Sequence, residues 1–347
     1  MEWTRPEHSK SSVNRAARVL IDESADYLAR YSAAEIVNNW RASHNYPLNT
    51  FKVTLRTKAF EIDPERLVAQ RIKRMSSIEA KLHRFNTMQL SQMQDIGGCR
   101  AILGNVGQVV SLVKKYEKSD LKHSLDDIDD YIDKPKASGY RGIHMIYKYY
   151  SDKQAPSIYN GLFIEMQFRT RLQHTWATSV ETVGTFLRQA LKSSQGEEPW
   201  LRFFSLMGSV FAAKEKSKAH VPDTPTKSSE LIAEVRKYAN DLNVQYTLHA
   251  YQQAIRVARE GPEKGNHYYL LTLEPKQGQI TVKAFPRRQL EEASAEYLKV
   301  EERISGTPGS EAVLVSVDSI ASLERAYPNY FLDTAVFLDE LKTVVGK

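Results

Sequence analysis

The stretch GLFIEMQFRT, residues 161–170, decides how this chain is read. Six of its ten positions are Gly or apolar, yet Glu165 stands at its centre and Arg169 near its end. In a β-strand, where side chains alternate between faces, Leu162, Ile164, Met166 and Phe168 share one face while Phe163, Glu165, Gln167 and Arg169 share the other. The apolar face predicts helices packed behind it. The opposite face presents a carboxylate, an amide and a guanidinium in a row, although a solvated polar face explains the alternation equally well.

Outward from this strand, elements of both periods interleave. Residues 12–42 predict helix, with Val19, Leu20, Tyr27, Leu28, Tyr31, Ile36 and Trp40 recurring at helical spacing. FKVTLRTKAF (51–60) alternates apolar and basic residues and reads as a short strand or extended arm. VAQRIKRMSSIEAKLHR reads as an extended piece and then a helix, with Ser76 and Glu79 as an S-x-x-E capping pattern at the junction. DIGGCRAIL, GYRGIHMIYKYY and GLFIEMQF read as strands and QVVSLVKKYEKS as an amphipathic helix, so a mixed sheet flanked by helices is expected up to about residue 190.

Residues 212–229 (AAKEKSKAHVPDTPTKSS) turn polar and carry two prolines, a linker composition. Beyond them ELIAEVRKYANDLNVQYTLHAYQQAIRVARE reads as one long helix, followed by strands HYYLLTLEP and GQITVKAF across a Lys-Gln-Gly turn, the strand EAVLVSV and a helical C-terminus. The expected organisation is 1–211, a linker at 212–229, and a small α+β domain at 230–347.

The 347 residues suit two domains, and a formal charge of +6 suits a protein that meets nucleotides or RNA. The single cysteine, Cys99, excludes an internal disulfide and a cysteine zinc cluster. Without an apolar leader or a run approaching the ~20 residues of a membrane span, a cytoplasmic soluble protein is expected, with no membrane or DNA partner.

Asp95, ahead of Gly97 and Gly98, adds a second carboxylate beside bare backbone, and two carboxylates on neighbouring strands suit Mg²⁺, which completes its shell with water and phosphates. Countercharge lies in two groups. Arg71 and Lys73 share one face of an extended piece, with Ser77 and Lys81 four apart on the helix after it; Lys134 and Lys136 stand beside Ser138 and Gly139, whose flexible backbone would close on a phosphate. Each group alone also reads as a solvated surface.

In order, R-x-K-x3-S-x3-K, D-I-x-G-x-R, K-P-K…G-Y-R-x-I-H and E-x-Q-x-R-T resemble the RelA/SpoT-type synthetase domain over roughly residues 65–185. The resemblance implies a nucleotidyltransferase-like mixed sheet of about five strands and transfer of the β,γ-pyrophosphate of ATP to a 3′-hydroxyl. By the same resemblance Arg71, Lys73, Ser77, Lys81 and Arg100 would hold ATP, while Asp95 and Glu165 would bind Mg²⁺. Glu165, as a catalytic carboxylate at a buried sheet edge, would also draw the hydroxyl proton. Lys134, Lys136, Tyr140, His144, Gln167 and Arg169 would bind the acceptor, Tyr140 by stacking. No His-Asp dipeptide occurs, so the hydrolase half of the long bifunctional relatives is not expected.

The module after 229 and its Tyr-Pro-Asn-Tyr (Tyr327 to Tyr330) resemble the fused toxic small alarmone synthetases of the CapRel type. That resemblance implies tRNA as acceptor, at its 3′ CCA end, with inhibition of translation. It also implies restraint by Tyr327 and Tyr330 in cis, and release by a phage protein such as the major capsid protein. GDP or GTP as acceptor, and a binding module without turnover, are the alternatives.

Overall fold

The computed structural model describes residues 3–190, 197–260, 266–274, 279–304, 307, 310–316 and 330–346. Contacts divide the chain into two compact units, 1–132 with 142–171, and 133–141 with 172–347.

The first unit is built on a sheet of β1 (Leu67–Ile72), β2 (Gly97–Leu103), β3 (Ser124–Asp130), β4 (Ile143–Lys148) and β5 (Phe163–Thr170), in the order β1-β2-β5-β4-β3. Only the β2–β5 pair is parallel, so the sheet is mixed as expected. GLFIEMQFRT is the middle strand, which corrects the sheet-edge position given to Glu165. Leu162, Ile164, Met166 and Phe168 are all buried in the core, with Cys99, Ala101 and Leu103 of β2. Among the helices that join that core are α3 (Asn45–Phe60), through Leu48, Phe51 and Leu55, and α5 (Val106–Glu117), through Val109, Leu112 and Tyr116.

Three local readings change here. FKVTLRTKAF is the body of α3 and not a strand or arm: the buried residues Leu48, Phe51, Leu55 and Ala59 follow helical spacing, but the set starts upstream of the alternating stretch. Residues 12–42 form two helices, α1 (Lys10–Ile21) and α2 (Tyr27–Ser43), because the Asp26 side chain caps α2 by accepting from Ala29 N at 2.8 Å. Of the periodic set, Tyr27, Leu28 and Tyr31 are exposed. The helix α4 (Met75–Arg84) begins before Ser76 and has Arg74 at its N-cap position without a side-chain cap, so the S-x-x-E pattern does not start it. A true capping box opens α5, where Asn105 and Gln108 exchange side chain-to-backbone bonds of 3.0 and 3.2 Å. Asn105→Ala should therefore cost about 1 kcal/mol, read as a lower denaturation midpoint with unchanged slope.

In the second unit, α6 (Arg171–Ala190, from Leu172 on), α7 (Glu197–Lys214), α8 (Ser228–Asp241), α9 (Val244–Glu260), α10 (Leu290–Ile304) and α11 (Tyr330–Val345) accompany a sheet ordered β7-β6-β8. Its strands are β6 (Asn266–Glu274), β7 (Gln279–Pro286) and β8 (Glu311–Ser316). The expected Lys-Gln-Gly turn lies outside the described residues. The expected single long helix is two, α8 and α9, parted at Asn243, whose φ of 45° is left-handed. Nor is 212–229 a free linker. Residues up to Lys214 belong to α7, Val221 is buried, its N–H donates to Ser209 Oγ at 3.2 Å, and Arg202 of α7 donates to Asp223 O at 2.6 Å. The packing thus parts the chain at 171/172, where composition suggests 211/212.

Candidate active site

Glu165 sits on the face of β5 turned away from α3 and α5, in register with Gly98 of β2, which in turn faces Arg71 of β1. A Cβ on Gly98 would stand 3.8 Å from Glu165 Oε2, so the missing side chain leaves that carboxylate uncovered from the β2 side. Gly97 differs: a Cβ there would meet Ile164 Cδ1 at 2.8 Å, so it is glycine for core packing and not for ligand approach.

The alternation of β5 becomes a hydrogen-bonded row. Arg169 Nη2 donates to Gln167 Oε1 at 2.8 Å, and Gln167 Nε2 donates to Glu165 Oε2 at 2.7 Å. The guanidinium is a donor only, so it fixes which way the Gln167 amide points and obliges it to give its N–H to Glu165. The other oxygen, Oε1, lies 2.9 Å from His144 Nδ1 on β4, and Tyr131 packs edge-on against that imidazole, with centroids 5.3 Å apart. Burial alone would raise the Glu165 pKa, and Asp95 adds to that. The hydrogen bond and charge of His144, with the Gln167 donor, outweigh both and hold the carboxyl below the ordinary glutamate value.

Asp95 lies in the turn just before β2, not on the strand. Lys73 Nζ reaches Asp95 Oδ2 at 2.6 Å and Lys81 Nζ reaches Oδ1 at 3.0 Å. Lys73 is placed by the extension of the β1 ladder, its N–H donating to Ile96 O at 2.8 Å, and Lys81 by α4. Here too burial pushes the carboxyl up, but the two ammonium groups and their hydrogen bonds bring it below the ordinary aspartate value. Ser77 lies in the first turn of α4, at its electropositive end. Arg71 is exposed, and with Arg41, Asn45, Leu48, Gln70 and Ile72 it lines a cleft of about 370 Å³ at the free edge of β1. Arg100 is buried, in register with Gln167.

The first unit thus brings Arg71, Lys73, Ser77, Lys81, Asp95 and Arg100 to β1, α4 and β2, with Glu165, Gln167, Arg169 and His144 on the adjoining strands. His144, Gln167 and Arg169, expected to contact an acceptor, form the hydrogen-bonded row that orients Glu165. The convergence of Lys73 and Lys81 on Asp95 and the role of Tyr131 were not read from sequence, since neither leaves a periodic signal.

Two carboxylates near enough to feel each other's charge, beside cations suited to phosphates, fit Mg²⁺ as a hard oxygen-seeking ion. Among the described residues no group of three or more His, Cys, Asp or Glu side chains forms a metal cage, so such an ion would depend on phosphate oxygens for the rest of its shell.

Lys134, Lys136 and Tyr140 belong to the second unit. Lys134 and Lys136 are exposed, and Lys136 Nζ stands 5.7 Å from the Tyr140 ring centroid, a cation–π arrangement. Gly139 is buried with φ of +94°, so the expected flexible phosphate-closing backbone is instead a packed turn. Tyr327 lies outside the described residues, and Tyr330 is the first residue of α11. No helix among the described residues is long and apolar enough to cross a membrane.

Residues 70–184 match the family model described as a region found in RelA/SpoT proteins. The GTP pyrophosphokinase YjbM of Bacillus subtilis (strain 168) is 32% identical over 117 residues, 33% of this chain and 54% of that protein, so the chain spans about half the length of this curated relative. Among solved structures, small alarmone synthetase 1 from Bacillus subtilis bound to its product pppGpp is 22% identical, covering 52% of this chain and 92% of that one, with a TM-score of 0.44. A GTP pyrophosphokinase family protein from Streptococcus pneumoniae is also 22% identical, covering 55% and 93%, with a TM-score of 0.41.

Proposed function

We propose that the RelA/SpoT-type region of this chain transfers the β,γ-pyrophosphate of ATP to a 3′-hydroxyl. The observation that carries this reading is the ionised Glu165, oriented by His144 and Gln167, on the sheet face that bears Arg71 and Arg100, with the Asp95 carboxylate held by Lys73 and Lys81 in the turn just before β2. The acceptor oxygen attacks the β-phosphorus, the bond to the α-phosphate bridging oxygen breaks, and AMP leaves with that electron pair. The hydroxyl proton passes to a Glu165 oxygen and from there to solvent. Arg71, Lys73, Lys81 and Arg100 bind the triphosphate and offset its charge as it shifts toward the leaving group, the largest catalytic effect open to this site. Mg²⁺ held by Asp95 and Glu165 would add Lewis-acid polarisation of the phosphate oxygens.

For the acceptor we favour the tRNA 3′ CCA end, which the net charge of +6 and the additional C-terminal module support. In this reading the C-terminal module restrains the enzyme through the Tyr327–Tyr330 stretch and a phage protein releases it, as antiviral defence. The name of the curated relative, a GTP pyrophosphokinase, favours GTP instead. Purified protein, Mg²⁺ and γ-labelled ATP offered tRNA, GDP or GTP separate the two. Label in tRNA that increases with phage lysate is the expected result, whereas label in the guanine nucleotides alone, with or without lysate, overturns the tRNA assignment.

A further inference from the structure

Segment 133–141, which holds Lys134, Lys136 and Tyr140 of the residues expected to bind the acceptor, belongs by its contacts to the second unit, although the chain on both sides of it belongs to the first. Its tip is a tight turn, with Gly139 N donating to Lys136 O at 2.8 Å and Lys136 N to Tyr140 O at 3.2 Å. Three attachments hold that turn to α6 and α7.

The first is backbone against backbone: a Cβ on Gly208 would stand 2.6 Å from Gly139 O, and one on Gly139 would stand 2.7 Å from Phe204 O. The second is aromatic. The Tyr140 ring meets Trp176 edge-on with centroids 6.2 Å apart, and Trp176 is itself fixed by its Nε1–H donating to Phe204 O at 2.8 Å. The third is ionic. Arg141, 2% exposed, pairs through Nη1 with Glu215 Oε2, which also accepts from Gln173 Nε2 at 3.0 Å. Nε and Nη2 of Arg141 have no hydrogen-bond partner among the described residues, so the Glu215 carboxylate is the main answer to a buried guanidinium.

Glu215 follows directly on α7, inside the stretch whose composition reads as linker. We infer that Glu215 is a positioning residue for the acceptor: without touching it, Glu215 fixes Arg141, and through Arg141 the turn that presents Tyr140 and Lys136. The inference rests on the pyrophosphokinase reading and extends it to residues outside the RelA/SpoT-type region. Removing the charge should loosen the turn and weaken acceptor binding, leaving the ATP-binding residues of the first unit as they are.

The test uses the full chain as wild type, Glu215→Gln, Glu215→Asp and Gly208→Ala, the last attacking the turn by a separate route. Amide hydrogen exchange and the KM values for acceptor and ATP are measured on each. Expected in Glu215→Gln and Gly208→Ala are faster exchange across 133–141 with β5 unchanged, and an acceptor KM raised about tenfold at constant ATP KM. Glu215→Asp, which keeps the charge, should recover most of both. Unchanged exchange, an unchanged acceptor KM, or equal shifts of both KM values overturn the inference while the wild type still transfers. A wild type that transfers pyrophosphate to no acceptor sinks the pyrophosphokinase reading itself, and the acceptor role with it.

Discussion

Glu165→Gln is expected to lower pyrophosphate transfer by about 10³-fold or more while ATP still binds. The substitution is nearly isosteric, so it changes charge and basicity with little change in shape. A neutral amide takes no proton from a hydroxyl and lends no negative charge to a cation in the site. It also disturbs the row that holds it: Gln167 Nε2 donates to Glu165 Oε2 because Arg169 occupies its oxygen. An amide at 165 satisfies both neighbours only if its nitrogen turns to His144, and His144 presents Nδ1 to that side. That arrangement requires His144 to move its proton to Nε2 so that Nδ1 accepts; where Nδ1 keeps its proton, one of the two neighbours loses its partner, and a buried donor without an acceptor costs about 1–3 kcal/mol. Single-turnover transfer and calorimetric ATP binding separate the outcomes. Lost transfer with retained ATP affinity places Glu165 in the reaction; equal losses in both would make it a structural support of the ATP-binding face; unchanged transfer would remove it from the mechanism. Because the carboxyl lies below the ordinary glutamate value, the acid limb of the wild-type rate should also fall below that range.

How far this arrangement is legible beforehand depends on whether a residue answers to its neighbours in sequence or in space. β5 is legible because burial on one face imposes period two, and Ile164, Met166 and Phe168 obey it. β3 is not: SLDDIDD lies at the outer edge of the sheet, mostly exposed, and only its pairing with β4 makes it a strand. The α3 error has a related cause. Phe51, Val53 and Leu55 alternate within residues 51–60, but Val53 is exposed and the buried set runs from Pro47, before that stretch begins. In the site, the two carboxylates and the basic residues follow from their chemistry and order, whereas their partners do not. Nothing in RIKRMSSIEAK announces that Lys73 and Lys81 both turn to Asp95. Glu215 carried no signal at all, because its meaning comes from a buried arginine far away in the chain.

Acidification from pH ~6.5 to about 4 should remove on the order of 3 kcal/mol of stability through His44 alone. His44 joins α2 to α3, is 1% exposed, and lies with Nδ1 2.8 Å from Trp40 O and its ring edge-on to the Trp40 indole at 5.4 Å. Burial pushes its pKa down to about 4 in the folded chain, against the bond to the Trp40 carbonyl, which favours the protonated ring. The unfolded chain takes up the proton near pH ~6.5, so below that value protons favour unfolding. The contribution is complete above the unfolded pKa and lost as pH falls to the folded one. His123, half-buried and also shifted down, adds to the same window. Asp95 and Glu165, shifted down as carboxylates, lose their contributions only at lower pH. His44→Asn keeps a donor for the Trp40 carbonyl and removes the titration. Denaturant midpoints at pH 7 and pH 5 should therefore lie closer together in the variant than in the wild type; an identical gap would show that His44 does not drive the acid loss. The consequence reaches the site, because His44 Cβ lies 3.4 Å from where a Cβ on Gly97 would stand. Charging His44 should therefore disturb the packing beside Gly97, which follows Asp95 and Ile96 and precedes Gly98 in the chain.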